Sequence, residues 1–377
     1  MLCFIRELPM GRVKKILAED GVEIEDTSVA SIDRPFDPKK IDITTKQMIL
    51  EAIFIRLRNK EIDLNTFFQR EGNLWDKEKQ SRLIESLLIK LPLPAFYFDG
   101  SDDNKWLIVD GLQRLTTFQN YIIENNFTLQ NLEYLTQFNG VAHNLLPNEL
   151  KRRIREHEIT VYIINPGTPE EVKFNLFRRI NTGGLTLTAQ EIRNALNQGI
   201  PTDFINELSE LKEFRKYRIH RKRMLDRDFV TRFVAFYIHT PEEYKPDLDT
   251  FLNTSMSKLK DLSVQKRDKL KADFKKSLQA AWNIFDKDAF RKRYNKTDKR
   301  NPINKALFEI WNVSLCKLER DEIETIIKRK NILKEEFINL LNSDKDFEQS
   351  ITSGTGKKKQ VEKRFKSIEI LIKKVLK

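Results

Sequence analysis

The segment Asp110–Arg114 combines residue types that bind anions at a point where a strand meets a helix. The apolar run before it predicts a strand, and the apolar spacing after it predicts a helix. The unpaired backbone N–H groups and the dipole of a helix N-terminus favour negative charge. Gly111 lets the backbone approach a ligand, and Gln113 and Arg114 lie in the first helical turn. A guanidinium can bind a phosphate with two hydrogen bonds, so we expect the head group of Arg114 to face the ligand.

Asp110 has two possible roles in this segment. It caps the helix, or it holds a hydrated Mg²⁺ that accompanies nucleotide phosphates. A plainer alternative is an ordinary turn in which Asp110 is the N-cap and Arg114 forms a salt bridge. Spacing alone favours this alternative.

Two further polar clusters have both a binding and a structural explanation. In residues 177–188, Arg179 and Asn181 precede two glycines and a second helix start. Helix capping explains the glycines but not the adjacent arginines. The other cluster is Gln69–Arg70 ahead of Trp75, and its alternative is an exposed loop with Trp75 packed in the core.

Several common catalytic and metal sites find no match in the sequence. The four histidines lie far apart, and there is no HExxH, zinc or His-Asn-His pattern. The run GTGKKK lacks the spacing of a Walker A loop, and no GxSxG elbow occurs. Cys3 and Cys316 are distant from each other, which excludes a disulfide scaffold and fits a reducing compartment.

Charge and hydropathy indicate a soluble protein with a polyanionic partner. The 377 residues carry 68 Lys+Arg against 56 Asp+Glu, a net charge of +12, which favours nucleic acid as a partner. No apolar run approaches the ~18 residues of a membrane helix, and the N-terminus does not have the pattern of a signal peptide. We therefore expect a cytoplasmic protein with no membrane partner.

The elements that position these residues predict an α+β fold. Residues 95–99 and 106–110 predict a β-hairpin, and residues 158–164 predict a further strand. A helix is expected from Thr45 onward, and Thr188 with Glu191 predicts a capping box. The result is a small mixed sheet wrapped by helices, followed by an all-helical C-terminal region.

Three domains follow from this pattern. Residues 1–43 predict an N-terminal arm, residues 44–200 the sheet domain, and residues 201–377 a helical domain. Residues 354–359 predict a flexible basic connector before a last helix. Residues 351–377 carry nine Lys/Arg and two Glu, and their apolar side chains form one helical stripe.

The three polar clusters, in this order, resemble the N-terminal domain of GmrSD-type restriction endonucleases. The family has a "QR…W" segment, a strand ending in "DGQQRL", and an "F.RIN.GG..L…E.R" segment. This sequence has Gln69–Arg70 with Trp75, then residues 110–115, then residues 177–193 ending in Glu191 and Arg193. The resemblance covers roughly residues 60–240, including Arg223–Asp228. Leu112 replaces the first Gln of DGQQR, and a C-terminal nuclease module is missing.

The resemblance implies a ParB/sulfiredoxin-like fold that binds an NTP of unknown identity, with Mg²⁺ as a possible companion. The residues it implies fall into three groups. Those at the phosphates and any Mg²⁺ are Asp110, Gly111, Gln113 and Arg114. Those lining the same cleft are Gln69, Arg70, Arg179 and Asn181, and those orienting it are Glu191 and Arg193.

Two functions remain open. The first is a nucleotide-binding, NTP-hydrolysing component of a restriction-type, modification-sensing DNA defence system, with a separate nuclease subunit as a possible partner. The alternative is a non-catalytic DNA-binding or partner-recruiting protein on a ParB-like scaffold. Nuclease activity of this chain alone is not expected. The sequence leaves the oligomeric state open.

Overall fold

A computed structural model describes residues 18–19, 21–26, 40–64, 75–102, 104–180 and 187–377. The strands are β1 (Ala18–Glu19), β2 (Val22–Glu23), β3 (Ile43–Ile49), β4 (Ile62–Asp63), β5 (Phe96–Asp99), β6 (Trp106–Asp110) and β7 (Glu158–Ile164). The first six α-helices are α1 (Leu50–Arg58), α2 (Lys77–Leu88), α3 (Leu112–Phe118), α4 (Asn148–Arg155), α5 (Glu170–Ile180) and α6 (Ala189–Leu196).

Three short apolar runs form the centre of a mixed sheet. β5 and β6 pair antiparallel, which confirms the predicted hairpin, and β7 lies parallel to β5. The sheet has five strands among the described residues, in the order β3-β7-β5-β6-β4. The mixed sheet and the helices around it confirm the predicted α+β class.

The helix expected from Thr45 begins only at Leu50. Residues 43–49 instead form β3, which pairs antiparallel with β7 from Ile43 opposite Ile164 to Ile49 opposite Glu158. Side chains reinforce this pairing, since the Gln47 amide donates to the Thr160 hydroxyl at 3.1 Å. Pairing with a distant strand thus outweighs local helical spacing.

Both faces of the sheet are covered by helices. Phe96 and Phe98 point to one face, where they join a core with buried residues of α1, α2 and α3. Val109 and Ile164 point to the other face and pack against α5 and α6. The predicted capping box of Thr188 and Glu191 at the start of α6 is confirmed, and Asp76 caps α2.

The region after residue 200 is helical, as predicted. Its helices are α7 (Ile200–Ser209), α8 (Lys212–Arg215), α9 (Leu225–Ile238), α10 (Leu248–Ser257), α11 (Val264–Phe285), α12 (Lys305–Cys316), α13 (Arg320–Lys328), α14 (Lys330–Ser343), α15 (Lys345–Ser350) and α16 (Lys358–Leu376). They share one aromatic-rich core, and the apolar stripe of α16 is buried in it. No helix in the described part of the chain is both long and apolar enough to cross a membrane.

A segment near the N-terminus, residues 21–26, packs against this helical core. Glu25 forms a buried ion pair with Arg232, and the Thr355 hydroxyl donates to Glu25 at 2.6 Å. Glu23 pairs with buried Lys292 at 2.7 Å. The expected flexible connector at 354–359 is therefore packed at Thr355, which is 1% exposed. The three domain boundaries remain predictions.

Candidate functional site

The turn between β6 and α3 has the geometry that the sequence predicts. β6 ends at Asp110, Gly111 is the N-cap with φ +106°, and α3 begins at Leu112. A Cβ on residue 111 would lie 2.5 Å from the ring of Phe96, and the positive φ disfavours any residue other than glycine. The first-turn N–H groups of α3 therefore follow directly after a tight glycine turn.

The guanidinium of Arg114 is buried, which differs from the ligand-facing head group that we expected. Its side chain is 8% exposed. It donates to the carbonyl oxygens of Pro94 and of Ala95, the latter at 3.0 Å. It also lies over the ring of Phe96, 4.2 Å from the centroid. Burial lowers the pKa of Arg114, and the Asp110 carboxylate opposes this shift. Arg114 therefore ties the start of α3 to the chain segment that enters β5.

Asp110 is the accessible member of this pair. Its carboxylate accepts a hydrogen bond from Arg114 at 3.0 Å and is 37% exposed. The expectation that Asp110 caps α3 is wrong, because Gly111 occupies the N-cap and no side chain caps this helix. The alternative of a salt bridge between Asp110 and Arg114 is what the structure contains.

Gln113 brings the segment before α2 to the turn. Its Oε1 accepts a hydrogen bond from the backbone N–H of Trp75 at 3.0 Å, and Gln80 donates to the carbonyl of Trp75. The structure thus joins two of the three polar clusters. Gln69 and Arg70, which precede Trp75 in the sequence, lie outside the described residues.

The third cluster begins in the last turn of α5. The start of α5 lies near the end of the sheet opposite Asp110, where Lys173 pairs with Asp99 at 3.4 Å. Arg179, in the last turn of α5, is exposed. Asn181 lies outside the described residues.

Glu191 and Arg193 act inside the protein. Glu191 accepts the N-cap N–H of Thr188 at 2.7 Å and pairs with Arg223 at 2.7 Å. Arg193 is 1% exposed and pairs with Asp228 at 2.7 Å and with Asp249 at 3.0 Å. Both residues therefore orient α6 against the helical region.

A charged cleft of about 580 Å³ lies beside this network. Its walls come from the segment 22–25, the start of α6, and α9, and include Arg193, Lys222, Arg232 and Lys305. Burial alone would raise the pKa of Asp228, but the charges of Lys305, Arg232 and Arg193 hold this pKa well below its usual range.

Two tyrosines at this end of the sheet are missing from the sequence prediction. Tyr97 lies opposite Asp110 in the β5–β6 register, and Tyr162 lies opposite Tyr97 in the β5–β7 register. Their rings stack with centroids 4.7 Å apart. A signal was available, because Tyr97 lies between buried Phe96 and Phe98, and Tyr162 lies between buried Val161 and Ile163.

The turn offers limited means to hold a metal. No three metal-ligating side chains come together among the residues that the structure describes. Asp110 provides one accessible carboxylate, and Mg²⁺ at nucleotide sites is held by one or two carboxylates together with substrate phosphates. The residues present therefore fit a Mg²⁺ that arrives with phosphates.

Comparison with known proteins supports the resemblance drawn from the three clusters. Residues 55–198 match the family described as GmrSD restriction endonuclease, N-terminal domain. The match begins within α1 and ends just after α6, so the later stretch Arg223–Asp228 lies outside it. No curated protein and no solved structure matches the chain. Four strands of the sheet, β4 to β7, and the Asp110–Arg114 turn lie within the matched segment, whereas β3 precedes it. Residues 55–198 are therefore similar to the N-terminal domain of GmrSD restriction endonucleases.

Proposed function

We propose that this chain is a nucleotide-binding component of a restriction-type DNA defence system, and that it hydrolyses an NTP at the Asp110–Arg114 turn. The family match over residues 55–198 is the observation that carries the proposal. The turn supports it, because an exposed carboxylate stands beside the first turn of a helix, whose N–H groups point toward the helix N-terminus.

The buried guanidinium gives Arg114 a positioning role in this proposal. The guanidinium of Arg114 donates to the Asp110 carboxylate, and it links the first turn of α3 to the carbonyl oxygens of Pro94 and Ala95. The phosphates then meet the backbone N–H groups at the start of α3, whose dipole favours negative charge. We expect exposed Arg179 to supply further positive charge, and Gln69 and Arg70 to line the same cleft, as the resemblance of their sequence motifs implies.

Phosphoryl transfer requires mainly positioning and charge neutralisation, so this set needs no covalent nucleophile. A bound Mg²⁺ would neutralise charge on the phosphates, and Asp110 is the residue that would hold it. The chain's own groups orient the phosphates through the rigid turn. DNA is the proposed macromolecular partner because the chain carries a net charge of +12. A separate nuclease subunit would carry out cleavage.

The variant Asp110→Asn tests this function. It keeps the size of the side chain and removes the accessible negative charge. Losing one charge-assisted contact costs about 1.5–3 kcal/mol, so we expect at least a roughly ten-fold loss of phosphate release from ATP or GTP in the presence of Mg²⁺. Asp268→Asn is the matched control, because Asp268 is exposed on α11.

The outcomes separate the two functions. Turnover that falls in Asp110→Asn but not in Asp268→Asn supports hydrolysis at this turn. Nucleotide binding without turnover in the unmodified chain favours the alternative, a non-catalytic DNA-binding or partner-recruiting protein. The burial of Arg114 is the observation that keeps this alternative in view.

A further inference from the structure

Tyr97 and Tyr162 form a small aromatic surface next to the Asp110 turn. β6, β5 and β7 are neighbours in the sheet, and the register aligns Asp110, Tyr97 and Tyr162 in one row across them. Strands lie about 4.8 Å apart, so Tyr97 is one strand and Tyr162 two strands from the turn, about 10 Å in total. An extended nucleoside triphosphate covers such a span between its base and its terminal phosphate.

This surface is partly exposed to solvent. Both tyrosines have intermediate exposure, and Tyr97 packs against the core that Val109 and Ile164 form with α5 and α6 on the same face. The neighbour of Tyr162 on β3 is Thr45, an exposed residue with a short side chain.

The hydroxyl groups of the two tyrosines have no hydrogen-bond partner among the described residues. The exposed Tyr134 shares this property. The hydroxyls of the other five tyrosines each donate to a protein oxygen, namely Tyr121, Tyr217, Tyr237, Tyr244 and Tyr294. Buried tyrosines usually find such a partner, so the two unpaired hydroxyls on partly buried rings are available to a ligand or to water.

The negative charge of Asp110 reaches this surface. Burial raises the pKa of Tyr97, and the neighbouring Tyr162 and Asp110 raise it further. The aromatic rings and the phosphate-binding turn are therefore parts of one local environment. A ligand that contacts both needs a planar ring at one end and phosphates at the other.

We propose that Tyr97 and Tyr162 are a stacking platform for the base of a nucleotide whose phosphates lie at the Asp110–Arg114 turn. This inference rests on the proposed function for the phosphate end alone. The base belongs to a free nucleotide or to a single-stranded nucleic acid, since both present the same planar ring. The stack of two rings gives a sequence-tolerant platform, because every base has a π face.

The test compares ligands with and without a base. Calorimetry measures the binding of ATP, GTP, inorganic triphosphate and a single-stranded dT oligonucleotide. Tyr162→Ala should weaken binding of the base-containing ligand about ten-fold or more, since base–aromatic stacking is worth about 1–3 kcal/mol. Binding of inorganic triphosphate should stay within about two-fold, because it has no base to stack. The control Tyr134→Ala removes a tyrosine that is 71% exposed and lies outside the sheet.

Two conservative variants guard against loss of folding. Tyr162→Phe keeps the ring and should bind as the unmodified protein does. Tyr162→Trp should bind at least as well, and its indole fluorescence should be quenched when a base stacks on it. Unchanged fluorescence in Tyr162→Trp at saturating ligand overturns the platform even if Tyr162→Ala does not fold.

The ligand panel also assigns the source of the base and separates this inference from the proposed function. An effect on ATP or GTP indicates a free nucleotide, and an effect on the oligonucleotide indicates a nucleic acid. If inorganic triphosphate binds and Tyr162→Ala weakens no base-containing ligand, the platform is overturned while the phosphate site stands. If no ligand in the panel binds, both are overturned.

Discussion

Replacing Arg114 should destabilise the sheet domain, whereas a guanidinium that faced a ligand could be removed without loss of folding stability. In Arg114→Ala the carbonyls of Pro94 and Ala95 lose their donor, and the ring of Phe96 loses the guanidinium packed on it. Hydrogen bonds from a charged donor contribute about 1.5–3 kcal/mol each, so two of them give about 3–6 kcal/mol. The ion pair with Asp110 adds little, because the carboxylate is 37% exposed.

The assay is urea unfolding followed by fluorescence of Trp75 and Trp106, which both lie in the sheet domain. The free energy of unfolding should fall by about 3–6 kcal/mol, with an unchanged dependence on urea. The free energy of unfolding of Arg114→Lys should lie between those of the unmodified protein and Arg114→Ala, because lysine keeps the charge but lacks the planar fork that donates to both carbonyls.

Arg82→Ala is the matched control in the same domain. Arg82 is 47% exposed and pairs with Glu78 and Glu133, so its loss should cost less than about 1 kcal/mol. If Arg114→Ala costs no more than this control and only weakens nucleotide binding, the guanidinium contacts the ligand. The positioning role given to Arg114 would then be refuted.

Two further predictions concern charge in the helical region. Acid should destabilise the helical region through Asp228. Burial alone would raise the pKa of Asp228, but the neighbouring Lys305 and Arg232 hold it below its ordinary value of 3.8. The ionised carboxylate therefore stabilises the folded state fully above pH 3.8, and this contribution is lost as the pH falls through the lower pKa of the folded protein. In Asp228→Asn the acid dependence of the urea midpoint should flatten, and an unchanged dependence would contradict the assignment. Replacing the exposed residues 357–359 with Gln should lower the slope of log K against log salt for duplex DNA by up to roughly 2.7. The same change at residues 373–374 should lower the slope less, because their ion pairs with Glu369 and Glu336 are shorter than the 3.8 Å pair of Lys358 with Glu362; equal slopes would remove 357–359 from the DNA surface.

Local patterns were sufficient for the elements whose stability is local. Short apolar runs predicted the β5–β6 hairpin and β7, and the Thr188–Glu191 spacing predicted the cap of α6. The helical stripe of α16 predicted the burial of five apolar side chains, but not that of Arg364, which pairs with buried Glu309. In each case the signal and the interaction lie within a few residues of each other.

Contacts between distant residues could not be predicted in the same way. β3 exists because residues 43–49 pair with a strand more than a hundred positions later. Arg114 is buried by carbonyls about twenty residues upstream, and Arg193 by carboxylates on α9 and α10. Residue type alone indicated that each arginine binds an anion, but it contained no information on whether that anion is internal.

The two buried arginines change which groups remain for a ligand. Arg114 and Arg193 both satisfy their donors with protein oxygens, so neither provides a free fork for phosphate. Asp110 and Arg179 are exposed instead, and the first-turn N–H groups of α3 lie at the same turn as Asp110, which is next to the tyrosine pair in the sheet. Phosphate recognition at this turn would therefore depend on backbone geometry more than on arginine charge. Gly111 is then the residue with no substitute, because its positive φ and its contact with Phe96 set the direction of those N–H groups.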